Sequence, residues 1–372
     1  MQLHLFGQPF GCMGIPNHTR DLFYHLARAN ASDTKIYLLY PEASRDRYDI
    51  DKIKGMINNW PTQKIDGVVF SFWGPDFNDK ILSVCDRKNT IAIEYCVFEW
   101  TKLTDKYYED AMKMDYLCVP SQWHLDVLVN NGIPSKKIYI LKAGISDVFK
   151  NFDYKGNDLR PRDMIFVGKY EKRKCVDELL QAYYHYVDVN TSNKKSSLHL
   201  DVLISDPHNP KFDVKNLNIN TPGLHILNNV ARPEDMAALY SKYKYIIVPS
   251  RSGGIELPLI EAMAMGCIPI VTKTSGMKCY ADEVFDFAQS IKPVWVNFNK
   301  MEPIYDNRWF PPSIDWGEWA SVTTGNILES IMEAEKLNYG LSIHNATRES
   351  TLKKFDYTAI AKGFIDWVSI IQ

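Results

Sequence analysis

Short apolar runs alternate along this chain with longer segments of helical period, and this alternation restricts the fold more than any other feature of the sequence. Runs such as LHLFG, GVVFSF and YIIVPS are rich in β-branched and aromatic residues, which predicts buried strands. Segments such as HTRDLFYHLARA and VDELLQAYYHYV lie between such runs and predict helices. Strand and helix in turn indicate an α/β fold built on parallel sheets.

The alternation occurs in two series. The first runs from LHLFG to KIYILKAG, the second from MIFVG to IPIVTKT, and a polar stretch at 151–163 separates them. A chain of 372 residues exceeds the size of one hydrophobic core. We therefore predict two doubly wound, Rossmann-like domains at 1–152 and 153–354, with a C-terminal helix at about 355–372 packing back on the first. The two domains should face each other across a cleft that holds the active site.

Composition narrows the class of protein. The formal net charge is -2 and neither end carries a basic arm, which argues against nucleic acid as a partner. The 7 cysteines form no C-x-x-C pair or zinc spacing, and no signal peptide or membrane-spanning run is evident, so a reduced cytoplasmic protein is expected. Any membrane association should be peripheral, at the inner face.

A glycine-rich loop follows the first strand. Gly7, Gly11 and Gly14 punctuate a segment that leads into a helix. Glycines let the backbone approach a ligand closely, and the N–H groups at a helix start attract an anion. The spacing is not the dinucleotide fingerprint G-x-G-x-x-G, and no acidic residue ends the second strand. A dinucleotide site is therefore the weaker interpretation.

A second candidate loop follows the strand MIFVG and carries Lys169 and Lys174 ahead of a helix. Cations beside a helix start can neutralise a diphosphate. A solvated basic turn is the plainer interpretation, because Lys172 and Arg173 lie in the same run. This segment by itself leaves the two interpretations equal.

The segment PSRSGGIELPLIEAMAMGCIPIV is the most informative in the chain. Gly253 and Gly254 follow a strand and permit close approach to a ligand. Pro258 lies near the start of the next helix, where the N–H groups of residues 254–257 can meet phosphate or sugar oxygens. Glu261, one turn in, can accept hydrogen bonds from two ribose hydroxyls. A glutamate that merely favours the helix dipole would not explain the two glycines.

These blocks together resemble the retaining GT-B glycosyltransferases of family 4, described as glycosyl transferases group 1. The resemblance rests on IFVGKYEKRKCVDELLQAY, EDMAALYSKYKYIIVPS and GGIELPLIEAMAMGCIPIV, and on the upstream segment that begins YCVFEWTKLTDKYYEDAM. The blocks cover most of residues 1–290, and their order is more specific than any one of them. The resemblance implies the GT-B fold and a nucleotide-sugar donor.

The resemblance also assigns roles by position. Lys169 and Lys174 would contact the donor diphosphate, and Glu261 would hold the ribose hydroxyls. The loop at 11–14 would close over the donor phosphates and the acceptor, whereas Ser121 and Gly144 would be structural. The donor-binding residues so predicted are Gly14, Lys169, Lys174, Gly253, Gly254, Ile255, Glu256, Leu257 and Glu261.

Three residues are predicted to be catalytic. Glu99 stands where many relatives have a histidine that contacts the sugar, and Glu256 is a candidate to touch the donor sugar. His18 lies beside the glycine loop, which should face the cleft, although lone histidines are more often packed residues. Four aromatic residues further on are interpreted as packing, with an acceptor platform as the alternative: Trp309, Phe310, Trp316 and Trp319.

The chain departs from the family pattern at three positions. The family signature has two glutamates separated by seven residues, but the first position here is Gly253, with Glu256 displaced three residues further on. The usual arginine is Lys169, which keeps the charge but loses the bidentate fork. The usual glycine after the second lysine is Cys175.

The predicted function is transfer of a hexosyl or related sugar from a nucleotide-sugar donor to a glycan, lipid-linked or other acceptor. Retention of configuration is implied by the resemblance alone. No D-x-D triplet ends a strand, so we expect neither a metal nor another cofactor. The alternatives are a degenerate GT-B protein that binds a sugar or a partner without turnover, and a nucleotide-sugar epimerase.

Overall fold

A computed structural model describes the chain except at residues 11–13, 31–32, 41–51, 73–76, 156–159, 196, 207–208, 210–211, 214–216, 218–219, 228–231, 288–291, 307 and 338. The chain folds as two compact units. The first unit comprises Met1–Ser146 and Phe355–Gln372, and the second comprises Asp147–Lys354. No helix in the described ranges is long and apolar enough to span a membrane.

The first unit is built on a seven-stranded parallel sheet of order β3-β2-β1-β4-β5-β6-β7. Its strands are β1 (Leu3–Gly7), β2 (Thr34–Leu38), β3 (Ile57–Asn58), β4 (Ile65–Phe72), β5 (Cys85–Tyr95), β6 (Tyr116–Val119) and β7 (Ile138–Ile140). Every residue of β1 is buried. Helices cover both faces of a parallel sheet, so both sides of its central strands are buried. This explains why these strands are continuous apolar runs in the sequence.

The second unit contains a six-stranded parallel sheet of order β10-β9-β8-β11-β12-β13 and a separate antiparallel pair, β14 with β15. The strands are β8 (Arg162–Lys169), β9 (Leu200–Ser205), β10 (Leu224–Ile226), β11 (Tyr243–Val248), β12 (Ile268–Thr272), β13 (Val294–Val296), β14 (Met301–Pro303) and β15 (Glu318–Ala320). Because β8 lies beside β11, the loops that follow these two strands meet at one edge of the sheet.

Helices connect the strands in both units. They are α1 (Gly14–Asn30), α2 (Asn78–Leu82), α3 (Asp105–Lys113), α4 (Gln122–Asn130), α5 (Asp147–Asn151), α6 (Val176–Ser192), α7 (Pro233–Tyr240), α8 (Leu257–Ala264), α9 (Ser275–Val284), α10 (Thr324–Leu337), α11 (Leu341–Lys354) and α12 (Tyr357–Ile371). Helices α6 and α10 pack together, as do α8 and α11.

The C-terminal helix α12 packs against α1 within the first unit. Tyr357, Ala361, Phe364 and Val368 are buried and recur at helical spacing, so they form its inner face. Gly144 is required at this contact, because a Cβ there would lie 2.4 Å from the Tyr357 ring. The predicted structural role of Gly144 therefore has a steric reason.

The C-terminal end of α8 is held by cationic and imidazole side chains. Arg160 donates from Nη2 to the carbonyl of Met265 at 2.5 Å, and Arg348 donates to the carbonyl of Ala264. His344 donates from Nδ1 to the carbonyl of Gly266 at 2.8 Å. Cations near a helix C-terminus satisfy its free carbonyls and favour its dipole. These contacts fix the helix whose opposite end forms the candidate site.

Candidate active site

The candidate site lies in the second unit, where the loops after β8 and β11 lead into α6 and α8. Each helix is preceded by a residue with left-handed backbone. Cys175 has a φ of 52° before α6, and Glu256 has a φ of 46° before α8. A non-glycine residue in this conformation costs about 1–3 kcal/mol and is most often found at functional sites.

Lys174 and Glu256 form a buried ion pair at the meeting of these loops. The Nζ atom of Lys174 contacts both carboxylate oxygens of Glu256, at 2.5 Å for Oε2. Arg173 adds a contact of 3.1 Å from Nη1 to Oε1, and it also donates to the carbonyl of Ser252 at 2.9 Å. The exposed fractions are 11% for the Lys174 side chain and 5% for that of Glu256.

Burial and charge act on these groups in opposite directions. Burial alone would raise the pKa of Glu256, but the charges and hydrogen bonds of Lys174 and Arg173 outweigh it, and the pKa falls below its ordinary value. Burial lowers the pKa of Lys174, and Arg173 lowers it further while Glu256 opposes the shift. Glu256 is therefore ionised at neutral pH and needs its cations, because a buried charge without a partner is costly.

Glu256 fills the space beside Gly253. A Cβ on Gly253 would lie 2.4 Å from Cγ and 2.6 Å from Oε1 of Glu256. The carboxylate of Glu256 thus lies where a side chain at position 253 would begin. In the family pattern position 253 carries the first glutamate, and here a carboxylate reaches that neighbourhood from three residues further along the chain.

The glycine turn before α8, at Gly253 and Gly254, is hydrogen-bonded to the start of α9. The N–H of Gly253 donates to Oγ of Ser275 at 2.9 Å, and the N–H of Gly276 donates to the carbonyl of Gly253 at 3.1 Å. Tyr280 donates its hydroxyl to the carbonyl of Gly254 at 2.9 Å. A Cβ on Gly276 would lie 2.2 Å from that carbonyl oxygen, so only glycine fits there.

The start of α8 presents backbone N–H groups beside the ion pair. The first N–H groups of a helix have no acceptor within the helix. Pro258 offers no N–H, and the N–H of Leu259 already donates to the carbonyl of Glu256 at 3.0 Å. The amides of residues 254–257, which the sequence analysis proposes as donor contacts, lie at this helix start, where an anion is favoured.

Two other predicted donor residues lie in the same unit. Lys169 ends β8, with its Nζ 3.7 Å from Oε1 of Glu171 and a side chain that is 35% exposed. Glu261 lies one turn into α8 and is partly buried. Burial and, next, the charge of Glu261 raise the pKa of Tyr240 well above its ordinary value. The structure thus brings Lys174, Glu256 and Gly253 together, and Lys169 contacts Glu171, which is 3.4 Å from Arg173.

The remaining predicted residues belong to the first unit. Gly14 is the exposed first residue of α1, and Gly11 lies outside the described residues. Glu99 is partly buried in a loop of packed aromatic rings, where Phe98 and Trp100 stack with centroids 4.1 Å apart. The buried ring of His124 supports this loop through the carbonyl of Phe98 at 3.2 Å and Oγ of Ser121 at 2.8 Å.

His18 is enclosed by aromatic side chains. Its exposed fraction is 1%, Nδ1 contacts the hydroxyl of Tyr357, and Nε2 lies 3.3 Å from the hydroxyl of Tyr95. Burial lowers the pKa of His18 to about 3, so the ring is neutral at physiological pH. The contact with Tyr357 joins α1 to α12, and the contact with Tyr95 joins α1 to β5. The structure gives His18 a packing role, and its catalytic role stays a prediction that the geometry does not support.

The sequence did not predict Arg173 as a residue of the site. Its place in a run of three basic residues suggested a solvated turn, yet its side chain is only 12% exposed and contacts Glu256. Ser275 and Gly276 were also missed as partners of the glycine turn. The pair Ser275–Gly276 at the next helix start was the available signal, since glycine beside a helix start indicates close backbone contact.

Residues 161–286 match the family described as Glycosyl transferases group 1, and this range contains both loops of the site. A search of curated proteins by sequence finds no match.

Solved structures resemble the chain more broadly. The glycosyltransferase from Rickettsia africae ESF-5 has a TM-score of 0.67 at 13% identity, covering 99% of this chain and 98% of its own. Anabaena HepE, solved with UDP-glucose, has a TM-score of 0.65 at 9% identity, covering 99% of both chains. A chain of the GtfA/B complex has a TM-score of 0.57 at 13% identity, and the match covers 83% of this chain but 58% of that one.

The chain therefore has the GT-B fold, with two Rossmann-like α/β units of seven and six parallel strands. The match of the second unit to a glycosyltransferase family supports glycosyl transfer as the general class of chemistry.

Proposed function

We propose that this protein transfers a sugar from a nucleotide-sugar donor to a saccharide or lipid-linked acceptor, with retention of configuration and without a metal ion. The observation that carries the proposal is the buried contact of Lys174 with Glu256 beside the Gly253 turn and the start of α8. It gathers a cation, a carboxylate and the amides of a helix start at one point. The UDP-glucose in the related HepE structure supports a nucleotide sugar as the donor.

The leaving group is the first requirement of this reaction. A nucleoside diphosphate departs as negative charge builds on its phosphates, and fixed donors and cations lower the energy of that charge. The amides at 254–257, together with Lys174 and Lys169, can supply such stabilisation. Glu261 on the same helix can accept hydrogen bonds from the ribose hydroxyls. These groups provide the charge that a metal ion supplies in other transferases.

Glu256 is proposed to contact the donor sugar. Its carboxylate lies beside Gly253, at the position where the family pattern has its first glutamate. A diphosphate that draws Lys174 toward itself would leave the Glu256 carboxylate available to sugar hydroxyls. The acceptor hydroxyl would then attack on the face that the leaving phosphate occupies, and a phosphate oxygen would take its proton. No pair of catalytic carboxylates is needed for this route, unlike glycoside hydrolysis.

A panel of UDP-, GDP- and ADP-sugars tests the proposal. Each donor would be assayed for thermal stabilisation of the protein and for released nucleoside diphosphate, with Glu261→Ala and Lys174→Ala as site variants. Stabilisation and release with one donor, lost in both variants, is the expected result. Chelator should leave the rate unchanged, and full loss of rate in chelator would contradict the metal-independent route.

The alternatives give different results in the same assay. A protein that binds a sugar or a partner without turnover would be stabilised by a nucleotide but would release no diphosphate from any donor, with or without added acceptors. A nucleotide-sugar epimerase would convert the donor without any acceptor. The displaced glutamate at position 256 is the feature that favours the first alternative, and the intact Lys174 and Glu261 favour the transferase.

A further inference from the structure

Arg251 lies in the chain between the end of β11 and the glycine turn before α8, and it is only 6% exposed. Its Nη2 donates to Oε1 of Glu178, in the first turn of α6, at 2.6 Å. Its Nη1 donates to Oε1 of Glu302, in β14, at 2.7 Å. One buried guanidinium therefore connects the segment before α8 to a helix and to a strand of the antiparallel pair.

The backbone of Arg251 is hydrogen-bonded to the same parts of the unit. Its N–H donates to the carbonyl of Arg173 at 2.8 Å, and its carbonyl accepts the N–H of Ala320, in β15, at 3.1 Å. Arg173 donates in return from Nη1 to the carbonyl of Ser252 at 2.9 Å. Hydrogen bonds thus join the loop after β8 to the loop after β11 in both directions, directly beside Lys174.

The carboxylate of Glu302 is also held by neighbours in the antiparallel pair. Its Oε1 accepts the indole N–H of the buried Trp319 at 3.1 Å, and its Oε2 accepts the hydroxyl of Ser321 at 2.8 Å. Because both oxygens have donors, the carboxylate that meets Arg251 is fixed in place. A guanidinium is planar and rigid, so the two carboxylates on its Nη atoms are held at a set separation.

The two carboxylate partners of Arg251 are not among the predicted donor residues. The segments that Arg251 joins nevertheless carry those residues, since Lys174 lies in the loop before α6 and the glycine turn follows Arg251 by two residues. The separation of the two loops determines whether one diphosphate can contact both Lys174 and the start of α8. In such a geometry a displacement of about 1 Å can cost as much as about a hundredfold in rate.

We infer that Arg251 is a positioning residue for the donor diphosphate. The inference rests on the proposed function and adds to it a residue that acts through the two site loops. The contacts of Arg251 hold these loops at one spacing before a ligand binds. A ligand then meets a prepared site, and no binding energy is spent on ordering the loops.

A contribution to stability alone is the competing role for Arg251. A buried cation with two carboxylate partners affects folding wherever it lies, because its removal leaves those carboxylates unpaired. If stability were its whole role, a variant would unfold more easily but would still bind the phosphates of a nucleotide as the wild type does. The two roles therefore differ in what they predict for phosphate recognition.

Nucleotide titration of the full chain separates the two roles. The probes are UDP, GDP and ADP, each paired with its nucleoside, which carries no phosphate. The variants are Arg251→Met, Arg251→Lys, which keeps the charge but loses the fork, and Glu302→Gln. Tyr243→Phe is the control, because it removes a buried hydrogen bond to Asp201 at the first residue of β11, opposite the site loops. Urea unfolding measures the stability of each variant.

We expect the diphosphate that binds the wild type to bind Arg251→Met about tenfold more weakly, with smaller losses in Arg251→Lys and Glu302→Gln. The affinity for the matching nucleoside should be unchanged. Tyr243→Phe should lower the stability and leave both affinities as they are in the wild type.

Three results would contradict these expectations in different ways. Equal diphosphate affinity in the wild type and in both Arg251 variants, or an equal loss for diphosphate and nucleoside, would overturn the inference. The expected losses without release of diphosphate from any nucleotide sugar would refute the proposed transfer reaction and leave the positioning role intact. Absence of diphosphate binding in the wild type would overturn both.

Discussion

Glu256 reaches its position through two local features, a left-handed backbone at Glu256 itself and a glycine at position 253. The glycine leaves room for the carboxylate, and the backbone turns it toward Lys174. A carboxylate is a strong hydrogen-bond acceptor for sugar hydroxyls. We therefore propose that Glu256 takes the role of the first glutamate of the family pattern.

Glu256→Gln tests that role. Glutamine keeps the shape of the side chain but loses its charge. A hydrogen bond to a charged group exceeds a neutral one by about 1–1.5 kcal/mol, which is worth roughly tenfold in rate. We expect turnover to fall by about that factor, with the affinity for UDP little changed. Steady-state kinetics and nucleotide titration measure the two quantities. Asp282→Asn, at an exposed ion pair with Lys278, is the matched control. Turnover equal to that of the wild type would remove Glu256 from the mechanism.

Lys174→Met tests the ion pair as a source of stability. Removing one partner of a buried pair costs about 3–5 kcal/mol. The folded-state pKa of Glu256 is lowered below 4.5, so its stabilising contribution is complete above that pH and is lost as pH falls through the folded value. Without Lys174 the folded pKa rises, and acid destabilisation should begin at higher pH.

Urea unfolding at neutral and acidic pH measures both effects of Lys174→Met. Lys169 is more exposed, so Lys169→Met should lose much less stability. Lys174→Met with Glu256→Gln should recover part of the loss, because the buried carboxylate that lacks its lysine is no longer present. Equal acid profiles for the wild type and Lys174→Met would show that the pair does not couple stability to pH.

At the scale of elements, the start of α9 supports the glycine turn before α8. Gly276→Ala would place a methyl group 2.2 Å from the carbonyl oxygen of Gly254, so the turn must shift. We expect weaker UDP binding by about tenfold and a lower melting temperature. Gly340→Ala is the control, because a Cβ there meets nothing within 4 Å. Isothermal titration with UDP compares the two variants, and unchanged affinity in Gly276→Ala would separate α9 from the site.

At the scale of the whole molecule, the first unit depends on a helix from the far end of the chain. Helix α12 covers Phe70 with Phe364 and stacks Trp367 on Tyr139, at centroid distances of 5.2 and 4.3 Å. Burial of each large apolar side chain is worth about 1.5–3 kcal/mol. A chain that ends at Lys354 would expose this face.

We expect the chain that ends at Lys354 to keep a folded second unit with a first unit that is open to protease. Limited proteolysis with mass spectrometry measures the protease sensitivity of each unit separately. A chain that ends at Lys362 keeps Tyr357 and should show intermediate protection. Full protection of the first unit in the shorter chain would show that α12 contributes little to its stability.

The alternation of strands and helices could be predicted from the sequence, because residue periodicity and apolar runs are local properties. The apolar runs that the sequence analysis names as strands, from LHLFG to IPIVTKT, all form strands. The sequence did not predict the short strands β3, β13, β14 and β15, whose order depends on their neighbours. The glycines and lysines of the candidate site could also be proposed from the sequence, because glycines in loops and cations at helix starts have recognisable uses.

The sequence could not predict which of those residues lie in contact, because these contacts form only when the chain folds. The tertiary structure turned the run of three basic residues so that Arg173 and Lys174 meet Glu256, and it closed aromatic rings around His18. It left the side chain of Trp309 exposed and buried those of Phe310 and Trp319. Sequence spacing cannot supply these facts, because burial and charge pairing arise between segments that are distant in the chain. The free energy of a buried charge depends on the partner that folding brings to it.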